Sequence, residues 1–317
     1  MKITDIIPVM DGRKNIMDDE HTITSSRQSS TYLSYHFLKR KRRISLYGDM
    51  FLQDFCMYFS IILGKKNGCR RFYKIEGQDN RLNNLLEYDN DMFLEYYLDK
   101  LLADNLADLL HYGKSYVELV KIFDKDNNLI GIQLIRFKNN IQVHIGKKIY
   151  YVLKKFDGKI VTGRIDAENV ISFKLHDIGY SKRYLRQLFR KHHRYDASFL
   201  ELSMDIKSGF EMDVYKKRQD YKLLKLGYDE RWLGRNFDNY YVNEPYLLYI
   251  RTEEMKHKEA ILNRLLAKYN EKLGQVGKKY GFLGKLCFDT KISNYSDLYK
   301  ELIQGMKNCE EVSSEIY

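Results

Sequence analysis

The sequence predicts an α+β fold: helices flanking a small antiparallel β meander, followed by a long helix, a short β/loop segment and a second helix. Three observations predict it. Apolar residues recur at spacings of three and four over 46–63, 92–112 and 253–273, as one face of a helix requires. Between these stretches the period changes to short β-rich runs set apart by KNN, GKK and DG turns. Only 2 prolines occur in 317 residues against 27 tyrosines and 16 phenylalanines, which favours continuous elements over rigid loops.

Residues 1–45 read as a flexible or basic N-terminal arm, 46–205 as an α/β domain and 206–317 as a mainly helical region. The opening MKITDIIPVMDGRKN carries Asp5 early and has no long apolar core, so no secretory signal is expected there. TITSSRQSST at 22–31 is small and polar, which predicts an arm or linker. Five consecutive cations follow, Lys39, Arg40, Lys41, Arg42 and Arg43, beside Tyr32, Tyr35, His36 and Phe37. Such a cluster can hold phosphates while aromatic rings stack on bases; it also suits a solvated helix end or a subunit contact.

A helix over 46–63 places Leu46, Met50, Phe51, Phe55, Tyr58, Phe59 and Ile62 on one face and stops at GKKNG. Its apolar run is too short to cross a bilayer, which needs about 20 apolar residues, and a soluble protein is expected. A second helix over 92–112 carries a leucine stripe. SYVELVKIF at 115–123 then reads as a strand, and DKDNNLIG closes a hairpin. Further strands are expected at 132–137, 141–145, 149–156 and 159–165. Gly113 ends the helix before the first strand, Gly131 belongs to the hairpin, and Gly179 permits a sharp entry into a helix whose N-cap is Ser181.

Five segments stand in one order: HYGKSYVEL at 111–119, DKDNNLIGIQLIRFKNNIQV at 124–143, IYYVL at 149–153, DAENVISFKL at 166–175 and GYSKRYL at 179–185. Together they resemble the portal proteins of tailed bacteriophages. Those proteins show a glycine-containing "GNAY"-like helix end, a strand, an "xDxxGxI" turn, a "YYY"-like strand, a "VIHFK"-like strand and a "G.SPL" helix start. The resemblance covers about 82–202. Lys114 and Ser115 stand where Asn and Ala are usual, Ser172 replaces the histidine and Lys182 the proline. It implies a divergent, short portal: a non-enzymatic subunit of a homo-oligomeric ring at a capsid vertex. Its partners would be double-stranded DNA, contacted through the backbone, the terminase and capsid or head-completion proteins, and it would reside in the virion or host cytoplasm, away from membranes.

A second resemblance lies inside the first. IGYSKRYLRQLFRKHHRYDASFL at 178–200 is similar to the second helix-turn-helix of AraC-type regulators. On that helix Arg183, Arg186, Arg190, Lys191 and Arg194 would follow DNA phosphates. Either reading agrees with the formal charge of +11.

Other chemistry finds little footing. Cys56, Cys69, Cys287 and Cys309 form no CxxC pair, so neither a zinc site nor a disulfide framework is indicated and a reducing compartment is expected. His192, His193 and Asp196 lack a second ligand cluster and read as a solvated basic helix. GQVGKK at 274–279 lacks the spacing of a phosphate loop, and no G-x-S-x-G or paired cysteine motif occurs. No cofactor, metal or catalytic residue is assigned.

In the last third, 253–273 carries apolar residues at helical spacing for about five or six turns. GKKYGFLGKLCF at 277–288 is glycine-punctuated and β-prone, and a second helix is expected at 297–307. By resemblance these would form a portal's stem and clip; a helical hairpin packed on the first domain is the other reading.

Overall fold

The computed structural model describes residues 15–18, 21–24, 46–56, 73–77, 80–88, 94–136, 142–145, 148–154, 160–202, 214, 217–218, 221–222, 225–226, 229–231, 244–289 and 294–316. The fold is α+β, with small antiparallel sheets and a long helix after the strands. The chain divides into two compact units, each built from three segments: Met1–Arg42, Tyr73–Lys174 and Leu266–Cys287 form the first, and Arg43–Phe72, Leu175–Leu265 and Phe288–Tyr317 the second. Neither unit is contiguous along the chain, and the long helix gives its last residues, from Leu266 on, to the first.

The first unit is organised around one strand. Strands β1 (Asn15–Asp18), β2 (His21–Thr24), β4 (Lys114–Phe123) and β5 (Leu129–Arg136) pair in the order β1-β2-β4-β5, and β9 (Val170–Lys174) also pairs with β4. On one side of β4 runs β5; on the other, β9 takes residues 114–118 and β2 takes 121–123. Residues 22–24, expected within a polar arm, are therefore strand: β-branched Thr22, Ile23 and Thr24 pair with Phe123, Ile122 and Lys121. Residues 115–120 of β4 are all buried, so both faces of this central strand are covered.

Each face has its own cover. Tyr116 on one face packs with Ile149, Ile165 and Val170. Ile149 and Ile165 come from a separate three-stranded meander, β6 (Gln142–Ile145), β7 (Lys148–Lys154) and β8 (Ile160–Asp166). The expected single meander is thus two sheets. The other face carries Ser115, Val117 and Leu119 and is covered by α3 (Leu94–Tyr112), whose Leu98, Leu102, Leu106 and Leu109 are buried. A short helix α2 (Arg81–Glu87), not expected from sequence, packs on β5.

Three glycines show where local geometry departs from the sequence expectation and where it meets it. Gly131 lies within β5, opposite Ile122, rather than in the turn; a Cβ there would stand 2.5 Å from the Tyr88 ring, so the residue allows close approach. The turn is made by Asp124, whose carboxylate accepts from the Asn128 N–H at 2.7 Å, with Asn127 at φ 63°. Gly179 has φ 85°, and a Cβ on it would stand 2.1 Å from Arg264 Nη1. Gly113, at φ 78°, donates its N–H to Leu109 O, and β4 begins at the next residue.

Two strand edges are capped by single side chains. The Tyr97 hydroxyl of α3 accepts from the Leu134 N–H at 3.0 Å and donates to its carbonyl. In the two-stranded sheet of β3 (Tyr73–Glu76) and β10 (Lys285–Phe288), the Asn270 amide donates to Leu286 O at 2.8 Å and accepts from its N–H at 2.7 Å. Each device satisfies an edge backbone pair that would otherwise invite another strand.

The second unit, among the described residues, is helical: α1 (Leu46–Cys56), α4 (Lys182–Leu202), helical residues between 214 and 230, the first part of α5 (Glu244–Tyr280), α6 (Tyr295–Ile303) and α7 (Cys309–Ile316). Helix α1 packs on α4. The long helix extends beyond the expected 253–273 at both ends, to 37 residues. It stops where Gly281, at φ 73°, and Phe282 both donate to Gly277 O. The final helix expected at 297–307 is shifted and split, because Gly305 at φ 68° ends α6 before α7 begins. No helix among the described residues is long and apolar enough to cross a membrane.

Candidate nucleic-acid interface and the buried groups beneath it

Helix α4 begins where β9 and a 3-10 turn (Leu175–Ile178) end, and the Ser181 hydroxyl accepts from the Tyr184 N–H at 3.0 Å as its N-cap. One face carries Leu185, Leu188, Phe189 and His192, all buried. The opposite face carries Arg183, Arg186, Arg190 and Arg194, all exposed, at steps of three and four residues, and exposed Lys191 lies beside them. Its described side chains, through Arg194, include no acid. The result is a straight cationic stripe about 16 Å long at 1.5 Å per residue. Lys39, Arg40, Lys41, Arg42 and Arg43 lie outside the described residues. An AraC-like helix-turn-helix would need a first helix ahead of α4; strand and 3-10 turn occupy that place.

The sequence reading treated His192 as solvated, and the structure corrects this. His192 and Glu230 are both fully buried, with His192 Nε2 2.6 Å from Glu230 Oε1. The imidazole sits among Tyr47, Phe51 and Phe189, with ring centroids 5.3, 5.4 and 5.8 Å away. His193, one residue on, is exposed, because neighbours on a helix point about 100° apart. Burial pushes the Glu230 carboxyl up from its ordinary range, against the pull of the His192 ring and Lys191. One residue earlier on each helix, Lys191 pairs with Asp229 at the surface. Two successive contacts thus fasten α4 to the helical residues at 229–230.

A second buried pair lies in the same unit. Tyr180 Oη is 2.6 Å from His257 Nε2, and Tyr180 stacks on Tyr184 at 5.2 Å. Burial, then the charges of Arg231 and Arg264, lower His257 to about 4, so the ring is neutral at pH 7. Burial also raises the Tyr180 hydroxyl, which keeps its proton at neutral pH. Nearby, buried Lys258 pairs with buried Glu254 at 2.9 Å, and Arg251 reaches Glu254 at 3.1 Å. Perturbed groups of this kind mark functional sites only when a ligand can reach them. His192 and Glu230 are sealed from solvent, so their role is to fix the helices that carry the exposed cations.

Sequence reasoning missed a further surface. Val214, Lys217, Arg218, Tyr221, Lys222 and Lys225 are helical and all exposed, with Tyr221 at 67 %. The signal was present as VxxKRxxYKxxK at 214–225, a spacing of three and four. Among the described residues, no group of His, Cys, Asp or Glu is arranged to hold a metal ion. No protein-family model matches this chain, and no curated protein sequence matches it.

Proposed function

We propose that the chain is a portal-like structural subunit: a ring-forming protein at a phage capsid vertex that passes double-stranded DNA and docks the terminase. The observation that carries the reading is the order of elements around β4. A helix ends at Gly113, a hairpin and meander follow, β9 returns to pair with β4, and Gly179 leads into a Ser181-capped helix. That order gives structural roles to the glycines, turns and strands that a portal would need. The arginine stripe of α4 supports contact with DNA phosphates without base reading, so affinity would fall with salt and not depend on sequence.

Mass measurement in solution tests the proposal. A ring of about a dozen subunits, as the portal resemblance implies, is expected, together with binding to random-sequence duplex. A stable monomer or dimer that binds one DNA sequence tightly would overturn it in favour of a DNA-binding regulator.

A further inference from the structure

We infer that Arg231 and Arg264, standing beside the buried Tyr180–His257 pair, form a site for a phosphate group. The inference goes beyond the portal reading, since the element order assigns nothing to either residue.

Both arginines belong to the second unit and reach the pair from different elements. Arg264 is on α5, about two turns beyond His257, and its guanidinium lies against the backbone of Gly179: a Cβ there would stand 2.1 Å from Arg264 Nη1. Arg231 directly follows helical residues 229–230 and sits in the left-handed region at φ 50°. After burial, the charges of these two residues are what lower His257. Arg231 also acts on Tyr180 and Tyr184, against the burial that raises both. Arg231 and Arg264 are exposed, and so is Tyr184, which stacks on Tyr180.

The acids around this spot are engaged with other cations. Asp229 pairs with Lys191, Glu230 with His192, and Glu254 with Lys258 and Arg251. Tyr180 and His257 are both neutral at pH 7, so their bond supplies no counter-charge. Among the described residues, no carboxylate forms an ion pair with Arg231 or Arg264. The first turn of α4, which begins just after Tyr180, adds exposed Lys182 and Arg183 and no acid.

The backbone is arranged for these two side chains. A left-handed residue after a helix is ordinarily glycine, and a β-carbon there is unfavourable, yet position 231 carries an arginine. Glycine stands instead at 179, where a side chain would displace the Arg264 guanidinium. A merely solvated arginine would need neither arrangement. Each guanidinium presents a planar fork of donors that holds two phosphate oxygens at once, and a pair of them matches the charge of a phosphate dianion.

The test is calorimetric titration of the full chain with inorganic phosphate at fixed ionic strength, with a short random-sequence duplex as the second ligand. Arg231→Gly eases the left-handed backbone while removing the guanidinium, so it is expected to raise the urea midpoint and to weaken phosphate binding about tenfold. Arg264→Gln is expected to leave the midpoint unchanged and to weaken phosphate binding by about the same factor. Parent-like phosphate affinity in both variants, or no saturable phosphate binding by the parent, overturns the inference. The duplex identifies the source of the phosphate: competition with inorganic phosphate, with duplex affinity lowered in both variants, assigns it to the DNA backbone, and phosphate binding without competition assigns it to a small phosphate ester. A chain that binds phosphate and no duplex removes the DNA reading and leaves this site standing.

Discussion

The two units differ in how their most prominent buried pairs are built. In the first, Arg136 of β5 donates to both oxygens of Asp108 at 2.7 Å and reaches Asp104 at 2.7 Å, tying helix to sheet. Burial lifts the Asp108 carboxyl while the guanidinium pulls it down. For Arg136, burial works to lower the pKa, but the bonds and charges of both aspartates outweigh it and hold the guanidinium above its usual range. The pairing therefore retains a permanent cation. In the second unit, His192 with Glu230 and Tyr180 with His257 are joined by single short contacts among aromatic rings, and both can exist without net charge. The second unit also buries an ion pair, Lys258 with Glu254 and Arg251, so the contrast lies between the Arg136 seam, which has a wet edge, and the His192 pair, which is sealed among aromatic rings.

The largest effect should come from breaking the sealed pair. His192→Ala removes the ring from its aromatic surround and leaves Glu230 buried without its partner, at a cost of about 3–5 kcal/mol in urea denaturation. Arg136→Ala should cost about 3 kcal/mol, toward the low end, because the Arg136 side chain is 18 % exposed and water reaches the gap. If the Arg136 variant proved the more damaging, the contrast between units would be reversed.

The pH dependence sharpens the same contrast within the second unit. His257 sits near 4 when folded and at 6.5 when free, so the unfolded chain binds more protons between these values. Its contribution is present above pH 6.5 and lost as pH falls toward 4, roughly 3 kcal/mol in all. Glu230 works the other way: its folded value is raised, so stability is greatest below its ordinary 4.5 and declines as pH rises through the folded value. Denaturation across this range should show His257→Gln abolishing the acid-side loss and Glu230→Gln gaining on the parent as pH rises. Matching profiles for both variants would mean that one of the two pairs does not titrate.

Smaller effects separate edge from cap. Asn270→Ala leaves the Leu286 N–H and C=O without that side chain and should cost about 1–3 kcal/mol. Ser181→Ala should cost about 1 kcal/mol and speed amide exchange at Tyr184.

How far each unit could be read from sequence follows from the same physics. Helix α3 and strands β4 to β9 were legible because their apolar period is strong and turn residues punctuate it. Their division into two sheets was not, since pairing is long-range: nothing local says that Lys174 will meet Lys114 or that Thr22 will meet Phe123. The arginines of α4 stood out by charge. The pairing of His192 with Glu230, 38 residues away, could not stand out, because a histidine on a basic helix looks solvated until its partner is known. Tyr180 stands in sequence as part of a glycine turn, and its bond to His257 spans 77 residues.

The interleaving of the units also sets a timetable for synthesis. The first unit draws its last segment, Leu266–Cys287, from beyond nearly all of the second, and that segment brings Tyr269, whose hydroxyl accepts from the Asn105 amide. Residues 175–265 must be made in between, which at ribosomal speed takes on the order of ten seconds. During that interval β4 and α3 can pair with what has emerged but lack their closing helix. A nascent chain stalled before residue 266 would therefore expose the surface around Asn105 of α3 and Phe173 of β9 that Tyr269 covers, and chaperone binding to such stalled chains should fall once residue 287 clears the exit tunnel.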